Sequence, residues 1–285
     1  MNQSAFLRRF RRLRHNLCNY VLIWFLRGDK PSAFSSTLLI PLHEKDIPFF
    51  REHIGTTLQN LAQPIEELVL VGTAKACAEL EGFAVEGCPV RIIPEEQVLP
   101  AGFSAQGFTD SKGKKRSGWI TQQIIKLSWP SYIPSESCIV LDADTFINRP
   151  ASYISAEGHY WLFTADDENH GWNSFVEKAL GRPKQFPWSL VAHTMIFRRG
   201  AMEALRSHIE QRFGQPWLEA LQSLVTDRAD HFSEYELYGT FVSEHQDFGY
   251  RHRYFYNVKR TKKGNFLKGM RLRLSRFISN HVRTD

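Results

Sequence analysis

Apolar positions change their rhythm along this chain, and the changes mark out its elements. Thr37-Leu38-Leu39-Ile40-Pro41-Leu42, Leu68 to Val71 and Val90 to Ile93 are short apolar runs bounded by turn residues, the pattern of buried strands. Between the first two, Ile47 to Leu61 has helical spacing. Strand, helix, strand at this interval predicts βαβ units and therefore an α/β fold, a mostly parallel sheet flanked by helices. Residues 95–115 are rich in Gly, Ser and Lys, lack periodicity and read as a mobile loop. Gly118 to Leu127 reads as a helix. The most apolar strand follows, Cys138-Ile139-Val140-Leu141, and runs directly into Asp142-Ala143-Asp144-Thr145. Further strands are expected at Trp161 to Thr164 and Val191 to Phe197, and helices at Ala201 to Phe213, Pro216 to Thr226 and Glu234 to Val242.

Composition adds the limits. A chain of 285 residues with 42% hydrophobic and 23% charged residues buries a full core, which excludes disorder as the account of any long stretch. Its length fits one large catalytic domain, 35–258, between basic ends at 1–34 and 259–285. The net charge of +6 is concentrated there: residues 8–14 read Arg-Arg-Phe-Arg-Arg-Leu-Arg, and residues 259–276 hold eight Lys or Arg and no acid. Leu17 to Leu26 is apolar but too short to span a membrane, and no small-residue cleavage site follows it. The expectation is an amphipathic segment on an anionic membrane surface, with a packed helix as the alternative. Phe266, Leu267, Met270 and Phe277 make the same suggestion at the other end. No nucleic-acid module accompanies these basic ends, and the central acids would repel a polyanion, so nucleic acid is not an expected partner. Cys18, Cys77, Cys88 and Cys138 show no CxxC spacing, which points to a reducing, cytoplasmic setting.

Chemistry concentrates where the apolar strand ends. In an open parallel sheet, ligands collect at the carboxyl ends of the strands. Two carboxylates one residue apart at that place, Asp142 and Asp144, suit a hard cation, Mn2+ or Mg2+, which completes its shell with phosphate oxygens. Such an ion stabilises a departing diphosphate, the chemistry of sugar transfer from a nucleotide donor. Three other readings stand beside it. The aspartates could simply end a strand, since Asp is a common turn residue. A haloacid-dehalogenase-type phosphatase also places DxD after an apolar strand, but needs Thr two residues beyond the second Asp, where this chain has Phe146. A non-enzymatic protein that binds anionic membranes would account for the basic ends alone.

Gln122-Gln123-Ile124-Ile125-Lys126-Leu127, a short Pro-containing linker, and Ile139 to Thr145 together resemble the core of GT-A glycosyltransferases. The chain is more closely similar to a group of uncharacterised bacterial proteins of this fold that carry a downstream Ser-Glu-Tyr-Glu motif, here Ser233-Glu234-Tyr235-Glu236. The resemblance spans Thr37 to Tyr256 and implies a metal-dependent transferase acting on a nucleotide-sugar donor and a glycan acceptor. It makes Asp144 the main metal ligand, with Asp142 on the metal or the donor ribose, and turns Lys126, with Gln123 nearby, toward the donor. Pro41 and His43, with Glu44, end the first strand where such enzymes seat the nucleotide; an ordinary loop with Asp46 as N-cap is the alternative. Glu234 is the favoured acceptor-binding residue or general base, with Glu236 second, because on a helix the two point about 200° apart. His245 or His252 is the candidate third ligand. Asp166, Asp167 and His193 are assigned to the acceptor side, although His193 also reads as a satisfied core histidine. The acceptor expected is a lipopolysaccharide core, capsule or other lipid-linked glycan at the inner face of a bacterial membrane.

Overall fold

The computed structural model describes residues 29–104, 106–110, 112–165, 170–225, 228–254, 257–259 and 276–279. Residues 1–28 of the basic N-terminal segment, most of the basic tail, and with them the expected membrane contact, lie outside the described residues. Among those described, no helix is long and apolar enough to cross a membrane, and Cys77, Cys88 and Cys138 are free thiols.

A five-stranded sheet organises the chain. In chain order its strands are β1 (Ser36–Leu42), β2 (Ile65–Gly72), β3 (Val90–Pro94), β4 (Ser137–Leu141) and, later, β7 (Thr194–Arg198), arranged β3-β2-β1-β4-β7. The first four are mutually parallel and β7 pairs antiparallel with β4. The α/β class and its mostly parallel sheet are therefore as the sequence predicts. Helices α1 (Ile47–Asn60), α2 (Ala74–Glu79), α3 (Glu95–Val98) and α4 (Ser117–Ser128) fill the connections up to β4. Between β4 and β7 come β5 (Thr145–Ile147), β6 (Tyr160–Thr164) and α5 (His170–Leu180). After β7 follow α6 (Arg199–Phe213), α7 (Trp217–Leu224), α8 (Glu234–Ser243), β8 (Tyr250–Tyr254), β9 (Asn257–Lys259) and β10 (Phe277–Ser279). Strand β8 pairs with β6, and β10 with β5 and β9.

Alternation along the strands divides the core in two. Leu39, Val69, Val71 and Val140 join the apolar faces of α4, α5, α6 and α8, while Leu38, Ile40, Leu68, Leu70, Ile139 and Leu141 pack with α1 and α2. A sheet covered on both faces needs apolar residues at successive positions, which is why these strands read as continuous runs. Each such Leu, Ile or Val contributes roughly 1.5–3 kcal/mol by burial.

Two expectations need correction. Residues 95–115 are not one featureless loop: Glu95–Val98 is helical, Phe108 is buried, and the Asp110 carboxylate accepts from the backbone N–H of Lys112 and Lys114 and from Arg116. The strand expected from Val191 begins only at Thr194, because the residue before it, His193, has φ +60°. Helix α5 is absent from the prediction, although Trp172, Phe175, Val176, Ala179 and Leu180 carry helical spacing.

Candidate active site

The strand order places the site. The chain leaves β1 for β2 and β3 on one side, then crosses through α4 to β4 on the other, so the carboxyl ends of β1 and β4 border the crevice where such sheets bind ligands. Pro41 from β1, Asp142 and Asp144 beyond β4, Gln122, Gln123 and Lys126 from α4, and Glu234 and Tyr235 from α8 line a cavity of about 470 Å³ there. Because β7 runs the opposite way, its start lies beside the end of β4, with Leu141 opposite Thr194. His193 thereby joins the aspartates across the sheet, and its carbonyl accepts from the Asp142 backbone N–H at 2.9 Å.

Asp142 is the hub. Its Oδ1 accepts from Lys126 Nζ at 2.6 Å and from the Tyr235 hydroxyl at 2.9 Å, and its Oδ2 lies 3.2 Å from His193 Nδ1. Lys126 also donates to Glu234 Oε1 at 2.7 Å and stacks its ammonium over the Tyr235 ring, 4.4 Å from the centroid. Burial alone would raise the Asp142 carboxyl, but the Lys126 charge and then His193 outweigh it and hold the group well below the carboxylate range. Lys126 is buried, which disfavours its cation; Asp142 and Glu234 reverse this and raise its pKa. Glu234 is pushed up by burial, against the pull of Lys126. The Tyr235 hydroxyl is raised well above its ordinary value by burial and by the same two carboxylates, and stays protonated.

Asp142, Asp144 and His193 offer ligand atoms that all lie within 4.8 Å of one another. Two carboxylates and an imidazole fit a hard or borderline divalent cation. The electrostatics agree: Asp46, Asp142, Asp144 and Glu234 against Lys45 and Lys126 leave the cavity lining with a formal excess of two negative charges. Asp46, the N-cap of the alternative reading, does hold the N-cap position of α1, yet its side chain makes no capping bond. Burial raises its carboxyl, and Asp144 and Asp142 add to the shift.

Beside this acidic cavity lies a second, of about 620 Å³, at the ends of β1 and β2. The two share Pro41, Lys45, Trp119 and Gln122, and the second adds His43, Thr73, Lys115 and Arg116 to its lining, with Glu95 as its one acid. Gly72 permits the strand ends to meet there, since a Cβ would stand 2.6 Å from the Leu42 carbonyl oxygen. His43 Nδ1 contacts Glu44 at 2.8 Å, and Glu44 accepts from Thr73 at 2.6 Å.

The remaining assignments sort by position. Gln123 is buried and accepts from the Glu234 backbone N–H at 3.0 Å, so it seats the start of α8. Glu236 faces away from the cavity, as the helical spacing requires. It accepts from Ser189, the Leu190 N–H and Lys184, and latches the segment before β7 onto α8. Its pairing with Ser233, whose hydroxyl accepts from the Glu236 N–H, is half of a capping box. His245 bonds the Phe241 carbonyl through Nδ1 and lies outside the cluster of Asp142 and Asp144, whose third side chain is His193. His252 is held by Trp188 and Ser243. Asp166 and Asp167 lie outside the described residues. Phe146, where a phosphatase of the haloacid dehalogenase type needs Thr, is buried in β5 and stacks on His53. Sequence reasoning missed Tyr235, Trp119, Trp172 and Asp46 as lining residues.

Comparison with known proteins gives remote likenesses. The apo crystal structure of mouse xyloside xylosyltransferase 1 aligns at 12% identity with TM-score 0.47, over 88% of this chain and 99% of that one. The galactosyltransferase LgtC, in complex with donor and acceptor sugar analogues, aligns at 12% identity with TM-score 0.43, over 86% of each chain. No curated protein matches the sequence. A family model does, over residues 51–265, and the chain accordingly belongs to DUF6492, a family of unknown function.

Proposed function

We propose that this protein is a divalent-metal-dependent glycosyltransferase that moves a sugar from a nucleotide-sugar donor to a glycan acceptor. The observation that carries the reading is the pairing of an acidic cavity, holding Asp142, Asp144 and His193 at the sheet's switch point, with an adjoining cavity that gathers Lys45, Lys115 and Arg116. A diphosphate bridging the two would meet Lys115 and Arg116 on one side and, on the other, the cation that the aspartates would hold.

Asp144, His193 and Asp142 would hold Mn2+ or Mg2+; when bound, the ion supplies charge neutralisation at the leaving diphosphate. Lys126 and Tyr235 fix Asp142 through Oδ1, so this carboxylate is positioned before any ligand arrives. Glu234, buried and with a raised pKa, is suited to take the acceptor hydroxyl proton, and Lys126 balances its charge until it does so. His43 borders the nucleotide side. The acceptor class that fits basic chain ends is a phosphate-bearing surface glycan, lipopolysaccharide, capsule or another lipid-linked oligosaccharide, met at the inner face of a bacterial membrane.

Thermal melting in the presence of UDP, GDP, CDP and their sugars, each with and without manganese, tests the core of the proposal. A metal-dependent rise with one nucleotide, absent in Asp144→Ala, is the expected result, since a ligand that binds the native state stabilises it. No rise with any nucleotide would remove the transferase reading.

A further inference from the structure

Trp119 and Trp172 both line the acidic cavity, and the reaction as described gives them no role. The Trp119 indole N–H donates to the Phe232 carbonyl at 3.4 Å, and that of Trp172 to the Asp230 carbonyl at 3.2 Å. An indole has one donor. With it spent, each ring offers the cavity only carbon and π surface.

The segment that receives both bonds is itself fixed. Ala229 and Phe232 are buried, and the Ala229 N–H donates to the Thr109 carbonyl at 3.0 Å. The His231 ring rests on Gly171, where a Cβ would come within 2.3 Å of it. Two rings from distant parts of the sequence are thus held against one short support. Trp119 is 42% exposed, one of two large hydrophobic side chains left so open among the described residues. An indole pinned open at a cavity mouth is a surface built to be covered.

What covers it follows from the polar lining. Asp46, Glu234 and Gln122 can accept hydrogen bonds from hydroxyl groups; Lys45 and Lys126 stand among them and are outnumbered by the acids, whereas Lys115 and Arg116 stand in the other cavity. Trp119 stands where the two cavities meet and lines both, whereas Trp172 lines the acidic one and is not among the residues lining the basic one. A ligand with one flat C–H face and a rim of hydroxyls matches an aromatic ring beside carboxylates. We infer that Trp119 and Trp172 form a stacking subsite for a pyranose ring of the acceptor. The inference rests on the proposed transferase function and specifies its substrate.

The test uses the full chain with UDP or whichever nucleotide raises its melting temperature, plus manganese, on a printed array of hexose, heptose and N-acetylhexosamine oligosaccharides. Calorimetry then gives the affinity of the best-bound glycan. Trp119→Ala and Trp172→Ala are expected to weaken glycan binding by about tenfold or more while keeping the nucleotide-induced rise, and Trp→Phe at either position to stay within about threefold. Phe keeps the ring face, so these variants also serve if an alanine variant fails to fold. Glycan affinity unchanged in both alanine variants overturns the inference and leaves the transferase reading intact. Loss of the nucleotide-induced rise in folded alanine variants overturns it too, by assigning the rings to the donor. A wild-type protein that responds to nucleotide yet binds no glycan overturns the acceptor class. If nucleotide has no effect on wild type, the transferase reading fails, and the tryptophan dependence of array binding still decides the subsite.

Discussion

Lys126 Nζ stands 2.6 Å from Asp142 Oδ1 and 2.7 Å from Glu234 Oε1, so one ammonium joins the strand that ends in the aspartate pair to the helix that carries the glutamate. Removing a buried charge strands its partners. Lys126→Met is expected to lower the unfolding free energy by about 3–5 kcal/mol. The double variant Lys126→Met/Glu234→Gln recovers part of the loss, because the amide no longer needs a cation. Urea unfolding measures both, and a loss below about 1 kcal/mol in the single variant would show that the fold does not depend on this junction.

Asp142 and Asp144 should separate by phenotype. Asp142 accepts bonds from Lys126 and Tyr235, and Asp144→Ala leaves those bonds in place. Asp142→Ala is therefore expected to lower Tm in the absence of ligand, by about 2–4 °C for each kcal/mol lost, and to abolish the manganese response. Asp144→Ala should abolish the response with little change in ligand-free Tm. Equal melting temperatures for the two ligand-free variants would contradict the division.

Much of this arrangement was legible in the sequence, for reasons that also explain the gaps. The aspartate pair could be placed because Cys138 to Leu141 is buried on both faces and so reads as an unbroken apolar run. Glu234 and Glu236 could be separated because the helical period forces them apart, and one faces Lys126 while the other faces Lys184. His193 could not be chosen over His245, since only the antiparallel pairing of β7 with β4 brings it to the aspartates. Trp119 and Trp172 share a support that no spacing encodes. Asp46 read as a cap because its position before a helix is that of a cap; its side chain goes elsewhere.

His193 is the one non-glycine residue with positive φ among those described, at +60°. His193→Ala and His193→Gly both remove the imidazole and should weaken Mn2+ binding equally, as read by electron paramagnetic resonance of free manganese. Stability should not be equal. Glycine accepts this backbone without strain, so the Gly variant is expected to be more stable than the Ala variant by about 1 kcal/mol. The reverse order in urea unfolding would argue against the strained bend.

His252 sits among Phe186, Trp188 and Ser243, where burial first and the Lys184 charge second lower its pKa from 6.5 to about 4. The unfolded chain therefore binds this proton more readily than the folded one between those values. Stability should fall as pH drops from 6.5 through about 4, by about 3 kcal/mol from this residue at the limit. His252→Asn removes the titration and should flatten that part of the curve. An unchanged acid slope in the variant would assign it to other groups.

Strand β7 makes the third member of the aspartate cluster depend on parity. Its residues face alternate sides, and Leu141 opposite Thr194 fixes which side each one takes. A residue gained or lost inside Thr194–Arg198 would turn the strand over and carry the bend at His193 away from Asp142. By contrast, the exposed turn around Ala156 and Glu157 lies between the two partners in sequence and outside their pairing. Length there is cheap, while in five residues of β7 even a single deletion would dismantle the site without touching any residue that forms it.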